Sequence, residues 1–130
     1  MNPRLIVHPE ADPVFVEQYR RLAAALHHAQ LEKGIRSVMV ASAVEGEGKT
    51  LSAINLALTL SRSFKKRVLL IDGDLRKPSL HQVLELPNNS GLSDALTRPD
   101  VQSPAQALSP TLAVMTGGPR SEERRVGKEC

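Results

Sequence analysis

Residues 43–50 read Ala43-Val44-Glu45-Gly46-Glu47-Gly48-Lys49-Thr50, and this stretch decides the fold. An apolar run, Ser37-Val38-Met39-Val40-Ala41-Ser42, precedes it and predicts a first buried strand over 36–42. After it, Leu51, Ile54, Ala57, Leu58 and Leu60 predict a helix from about Lys49 to Arg62, apolar over more than one face. Strand, Gly-rich loop, Gly-Lys-Thr and helix, in that order, make the context of a P-loop. Backbone N–H groups of such a loop surround a phosphate, and the helix N-terminus adds partial positive charge. Gly46 and Gly48 admit close backbone approach. The candidate phosphate-binding residues are Ala43, Val44, Glu45, Gly46, Glu47, Gly48, Lys49, Thr50 and Leu51. Lys49 offers a point charge to the β- and γ-phosphates, and Thr50 a hydroxyl to Mg²⁺. Ala43 departs from the usual pattern, which has glycine there. The competing reading, an incidental Gly-Lys-Thr in a surface loop, is disfavoured by the flanking strand and helix.

A second apolar run, Arg67-Val68-Leu69-Leu70-Ile71-Asp72, ends in an acid. Continuous Val, Leu and Ile predict a parallel strand buried on both faces, joined to the first through a right-handed crossover. Ligands in such sheets sit beyond the carboxyl ends of the strands, which puts Asp72 and Asp74 opposite the P-loop. The plainer alternative is an acid that caps a turn. Because loops carry function and cores carry stability, both acids are expected to matter far more to chemistry than to folding.

The remaining chain is organised around this unit. Residues 2–11 look like an extended arm. Asp12-Pro13 predicts a helix start, with Asp12 at the N-cap, and Gly34 predicts its end. Phe15, Tyr19, Leu22, Leu26 and Ala29 form one apolar stripe, for packing on the domain body or for a subunit contact. His27 and His28 face different directions and have no partner at ligand spacing, so they read as solvated or packed; His8 and His81 read likewise. Asn55 reads as a satisfied polar group. Further on, the sequence predicts short helices over Ser79–Leu86 and 91–96, a turn at 87–91 and a loop-rich stretch over 98–110. A third strand is predicted at Leu112-Ala113-Val114-Met115, closed by Gly117-Gly118-Pro119.

Composition narrows the function. The 130 residues are 41% hydrophobic and 24% charged, ordinary for a globular domain. Phe15, Tyr19 and Phe64 are the only aromatics, too few for base-stacking platforms, and a net charge of +3 makes no case for nucleic acid. The single cysteine, Cys130, excludes a disulfide framework. No run approaches the length of a membrane span and the N-terminus lacks a secretory h-region, so a cytosolic chain is the default.

Ser42 to Thr50, taken with Val68-Leu69-Leu70-Ile71-Asp72-Gly73-Asp74-Leu75-Arg76-Lys77-Pro78, resembles the Walker A and Walker A′ motifs of bacterial tyrosine kinases. These are the BY-kinases of the CpsD/CapB type, which act in capsular and exopolysaccharide synthesis. The likeness spans about residues 4–119, and Leu80-His81, Gly91-Leu92 and Gly117-Gly118 fit it. It implies the N-terminal part of an α/β P-loop NTPase fold, a parallel sheet flanked by helices. It also implies ATP and Mg²⁺ as cofactors and transfer of the γ-phosphoryl to tyrosine. Lys49, Asp72 and Asp74 would then be catalytic, and Thr50, Asp72 and Asp74 would hold the metal; which acid holds Mg²⁺ and which activates the tyrosine stays open. The implied partners are a membrane activator or polysaccharide co-polymerase, protein tyrosine substrates and further copies of the chain, with no nucleic acid. The implied location is cytoplasmic, on the inner face of the plasma membrane through a partner.

Three departures qualify the likeness. Glu17 and Arg20 fit an oligomerisation pattern on the first helix, but Ala23 stands where its last arginine belongs. Tyr19, on the apolar stripe, is the only tyrosine. No Walker B follows Gly118. Residues 120–130 resemble translated sequencing adapter and are set apart as a non-native tail. The expected division is 1–34 arm and helix, 35–119 partial kinase domain, 120–130 tail; such a fragment is expected to be inactive. The alternatives are a ParA/MinD-type ATPase, disfavoured by Val44 where those proteins carry lysine, and a nucleotide-binding regulator without kinase activity.

Overall fold

A computed structural model describes residues 2–41, 47–98 and 104–119. The first helix, α1, runs Pro13–Lys33. Asp12 caps it, its Oδ1 accepting from the Val14 N–H at 2.9 Å. Gly34 ends it at φ 69°, a left-handed position that glycine takes without steric cost. The helix after the P-loop, α2, is Glu47–Arg62. Both helices fall where capping and periodicity put them.

Leu51, Ile54, Leu56 and Ala57 of α2 are buried. Leu51 and Ile54 share a core cluster with Leu5, Leu80 and Val114, and Leu70 packs against it. At roughly 25 cal/mol per Å² of apolar surface, burial of this kind is the main stabiliser of the α2–sheet layer. On α1 only Ala23 is fully buried. Of the predicted stripe, Tyr19 and Leu26 are partly buried, whereas Phe15 and Leu22 are exposed. Two of the five stripe residues are thus left out of the packing between α1 and the domain body.

Among the described residues the sheet has three strands in the order β1-β3-β2: β1 Val68–Ile71, β2 Gln106–Ala107 and β3 Leu112–Met115. β1 and β3 pair in parallel, Val68 opposite Leu112 and Ile71 opposite Met115. β2 pairs antiparallel to β3. The sheet is therefore mixed rather than parallel, and β2 lies inside the stretch predicted as loop. Helix α3 is Leu80–Val83 and α4 is Leu92–Thr97, the former shorter than predicted.

Three expectations are corrected. A first buried strand is expected over 36–42; its described residues, 36–41, form no strand, and Val38 is 54% and Met39 87% exposed. A strand exists only as part of a ladder, with a neighbour about 4.8 Å away. Here residues 35–41 instead line a cavity of about 720 Å³, together with residues of α1, α2 and β1. For the same reason β1 is not buried on both faces: Leu69 is 50% and Ile71 46% exposed. The N-terminal arm is not extended but coiled in successive turns, with Leu5 N–H donating to Asn2 O, His8 N–H to Leu5 O and Ala11 N–H to His8 O. Asn55 holds it: its Oδ1 accepts from the Ile6 N–H at 2.9 Å and its Nδ2 donates to Arg4 O at 3.0 Å. That is how this fully buried amide is satisfied.

The turn between α3 and α4 is locked to the end of β3. Asn88 and Gly118 pair reciprocally, Gly118 N–H to Asn88 Oδ1 at 2.8 Å and Asn88 Nδ2 to Gly118 O at 3.1 Å. Gly91 lies so close to the strand end that a Cβ there would sit 2.1 Å from Thr116 O. Buried Asp94 accepts from the Gly91 N–H at 2.7 Å.

Candidate functional site

The site gathers where α2 begins and β1 ends. Ala43, Val44, Glu45 and Gly46 lie outside the described residues, as does the predicted tail at 120–130. α2 begins at Glu47, which puts Gly48, Lys49 and Thr50 in its first turn, where free N–H groups and the helix dipole favour an anion. Leu51 has its side chain in the core, so only its backbone is available to a ligand.

Asp72 is positioned by the sheet. Its N–H donates to Met115 O at 2.9 Å, extending the β1–β3 ladder by one bond. Its carboxylate turns back onto the next loop: Oδ1 accepts from the Asp74 N–H at 3.1 Å, and Oδ2 accepts from the N–H groups of Ser79 at 3.0 Å and Leu80 at 3.1 Å. Asp72 thus caps the short helix α3 across several residues. The plainer alternative, an acid capping a turn, is therefore what the Asp72 carboxylate does among the described residues.

Asp74 sits farther out. Its Oδ1 accepts from the Lys77 N–H at 3.1 Å, and its Oδ2 faces Lys49 Nζ at 3.7 Å. The Lys77 amide above all, helped by the Lys49 charge and the Arg76 amide and opposed by desolvation, holds the Asp74 carboxyl below its ordinary value. Both Lys49 and Asp74 are about a third exposed, at 34% and 37%, so their ion pair orients more than it stabilises.

Sequence reading missed Ser79. It is the N-cap residue of α3, yet its hydroxyl makes no capping bond. It lies instead 2.6 Å from Thr50 Oγ1. A serine at a helix start is ordinarily read as a cap, and nothing local signals that its hydroxyl is turned to a residue 29 positions away.

The donor set is a threonine hydroxyl and two carboxylates. Among the described residues no group of three or more His, Cys, Asp or Glu side chains converges. Few, hard oxygen donors suit Mg²⁺, which keeps several waters and takes further oxygens from a nucleotide phosphate, and do not suit a caged transition metal.

The other singled-out residues lie apart. Glu17 and Arg20 form an exposed ion pair on α1 at 3.7 Å. The Tyr19 hydroxyl donates to Ser52 Oγ at 3.4 Å. His28, expected to lack a carboxylate partner, contacts Glu32 Oε1 at 3.0 Å one helical turn on, a correction. His27 stacks on Phe64 at 5.5 Å between ring centroids.

Comparison with known proteins follows this geometry. The CobQ/CobB/MinD/ParA nucleotide binding domain matches residues 38–109. Over 121 residues the chain is 38% identical to the tyrosine-protein kinase YwqD of Bacillus subtilis, covering 92% of this chain and 51% of that protein. It is 37% identical over 98 residues to the tyrosine-protein kinase etk of Escherichia coli, covering 75% of this chain and 13% of that one. Two crystal structures are similar: the chimerical protein CapA2B2, at TM-score 0.67 and 30% identity over 92% of this chain and 53% of the other, and the VpsO kinase domain, at TM-score 0.64 and 26% identity over 83% and 55%. The chain thus spans about half the length of YwqD.

Proposed function

This chain belongs to the CobQ/CobB/MinD/ParA nucleotide-binding domain family, and from that premise we propose that it is the nucleotide-binding part of an ATP-dependent protein-tyrosine autokinase. The observation that carries the reading is Asp74, just past the end of β1, 3.7 Å from Lys49 Nζ in the first turn of α2, with Asp72 lining the same cavity as Lys49 and Thr50. Similarity to proteins named tyrosine-protein kinases supports it.

Each residue has a role in that reaction. Lys49 and the first-turn amides of α2 bind the β- and γ-phosphates. Thr50 and one of the two acids hold Mg²⁺, which when bound neutralises charge on the transferring phosphoryl. The other acid takes the proton from the tyrosine hydroxyl; the phenolic oxygen bonds to the γ-phosphorus as its bond to the β–γ bridging oxygen breaks, and ADP leaves. Positioning and charge neutralisation carry most of such a transfer.

The proposal extends to capsule or exopolysaccharide synthesis, to a membrane activator or co-polymerase as partner, and to the inner face of the plasma membrane as location. It also includes self-association through the exposed Glu17–Arg20 pair on α1; reversing both charges should lower the mass seen on a sizing column, and an unchanged mass would remove that interface.

The activity is tested in the intact protein. Phosphotyrosine should form with ATP and Mg²⁺ and disappear in Lys49→Ala. ATP hydrolysis without phosphotyrosine would favour a ParA/MinD-type ATPase, a reading the family match itself invites. Nucleotide binding without either activity would favour a regulator.

A further inference from the structure

We propose that Ser79 is a positioning residue for the magnesium site, acting through Thr50; the proposal rests on the reading of Thr50 as a metal ligand. Three observations converge on it. The Ser79 and Thr50 hydroxyls are 2.6 Å apart, a short hydroxyl pair. The Ser79 hydroxyl makes no capping bond to its own helix, whose first amides Asp72 accepts instead. The backbone of Ser79 is fixed from the other side, its N–H donating to Asp72 Oδ2 at 3.0 Å. One residue therefore ties the first turn of α2 to the acid at the end of β1.

The chemistry assigns a direction to the hydroxyl pair. A threonine that ligates a cation does so through an oxygen lone pair, so its proton must point away from the metal and find an acceptor. The Ser79 oxygen, 2.6 Å away, is that acceptor. Donation from Thr50 to Ser79 fixes the rotamer of Thr50 and raises the electron density on its oxygen, the effect that outer partners have on metal ligands. The same backbone anchor explains why Ser79→Ala should fold: the N–H that Asp72 accepts remains, and no capping bond exists to be lost.

The test is binding, not turnover. Using the intact protein, a fluorescent N-methylanthraniloyl-ADP is titrated in excess chelator and then across a Mg²⁺ series. Ser79→Ala should bind the nucleotide as wild type does in chelator, and should need about tenfold more Mg²⁺ for half-maximal enhancement, the low end for loss of an outer-shell partner. Ser79→Thr, which keeps the hydroxyl, should restore the wild-type midpoint. An alanine variant with the wild-type Mg²⁺ midpoint overturns the proposal, as does one weakened equally with and without Mg²⁺, since that marks a structural role only. A lower Mg²⁺ midpoint in Ser79→Ala also overturns it, because the hydroxyl would then compete with the metal for Thr50. Should wild-type binding be indifferent to Mg²⁺, the metal reading of Thr50 fails first and takes this inference with it.

Discussion

Replacing Asp72 by asparagine should destabilise the fold by about 2 kcal/mol, a consequence that its position at a strand's end does not suggest. The carboxylate accepts three backbone N–H bonds, from Asp74, Ser79 and Leu80. An asparagine has one carbonyl oxygen and one NH₂. Its best placement turns the oxygen to Ser79 and Leu80 and leaves the NH₂ against the Asp74 N–H, donor facing donor. One bond is lost, and two fall from charge-assisted to neutral. Taking the low ends, about 1.5 kcal/mol for a charged acceptor and about 0.5 for a neutral one, the lost bond and the two weakened ones come to about 3.5 kcal/mol. Because the site is only half-buried, water recovers part of this, leaving about 2 kcal/mol, or roughly thirtyfold in the folding equilibrium. Asp74→Asn keeps an oxygen toward Lys77 as a neutral acceptor and loses the ion pair with Lys49; with both side chains about a third exposed, it should cost under about 1 kcal/mol. Urea unfolding followed by circular dichroism measures both, with equal slopes required for the comparison. If Asp72→Asn lies within about 0.5 kcal/mol of wild type, or if Asp74→Asn costs as much, the three-bond account is wrong. If it is right, a loss of phosphotransfer in the Asp72 variant mixes chemistry with folding, and Asp74 is the cleaner probe of mechanism. The expectation that both acids spare folding then holds only for the outer one.

Three other outcomes follow from single contacts. Asn55→Ala removes the acceptor of the Ile6 N–H and the donor to Arg4 O; it should cost about 2–3 kcal/mol in urea unfolding and speed hydrogen exchange at Ile6, and unchanged protection at Ile6 would refute the role given to the amide. Gly91→Ala puts a methyl 2.1 Å from one backbone atom and 2.4 Å from another, neither of which can rotate away; a loss of about 3 kcal/mol is expected, and a thermal midpoint equal to wild type would mean that the turn shifts freely. Asp74 has a folded pKa below its ordinary 3.8, so its contribution to stability is fully present above that value and is lost as pH falls through the lower folded one. The stability gap between wild type and Asp74→Asn should therefore be flat from about pH 5 to 7 and close only below about pH 4; a gap that varies across the neutral range would contradict the assigned direction.

Much of this protein is written locally in its sequence. The Asp12 cap, Pro13 and Gly34 define α1 because a cap, a fixed φ and a left-handed stop act within a turn of the residues they govern. Gly48-Lys49-Thr50 at the head of an apolar pattern placed the start of α2, and the apolar runs at 68–71 and 112–115 became strands, which lie side by side. The family resemblance was legible for the same reason, since its two motifs are short and contiguous. What the sequence left undetermined depends on neighbours distant along the chain. Residues 36–41 have the composition of a strand but no partner across the cavity, and a strand without a ladder is only an exposed apolar segment. β2 is two residues long and exists because β3 offers it an edge. Asn55 reaches the arm across 49 residues, and Ser79 reaches Thr50 across 29. A hydrogen bond over such separations leaves no periodicity in the sequence, because it is fixed by where the packed elements bring two polar atoms together, and that is decided only when the core of Leu5, Leu51, Ile54, Leu80 and Val114 has closed.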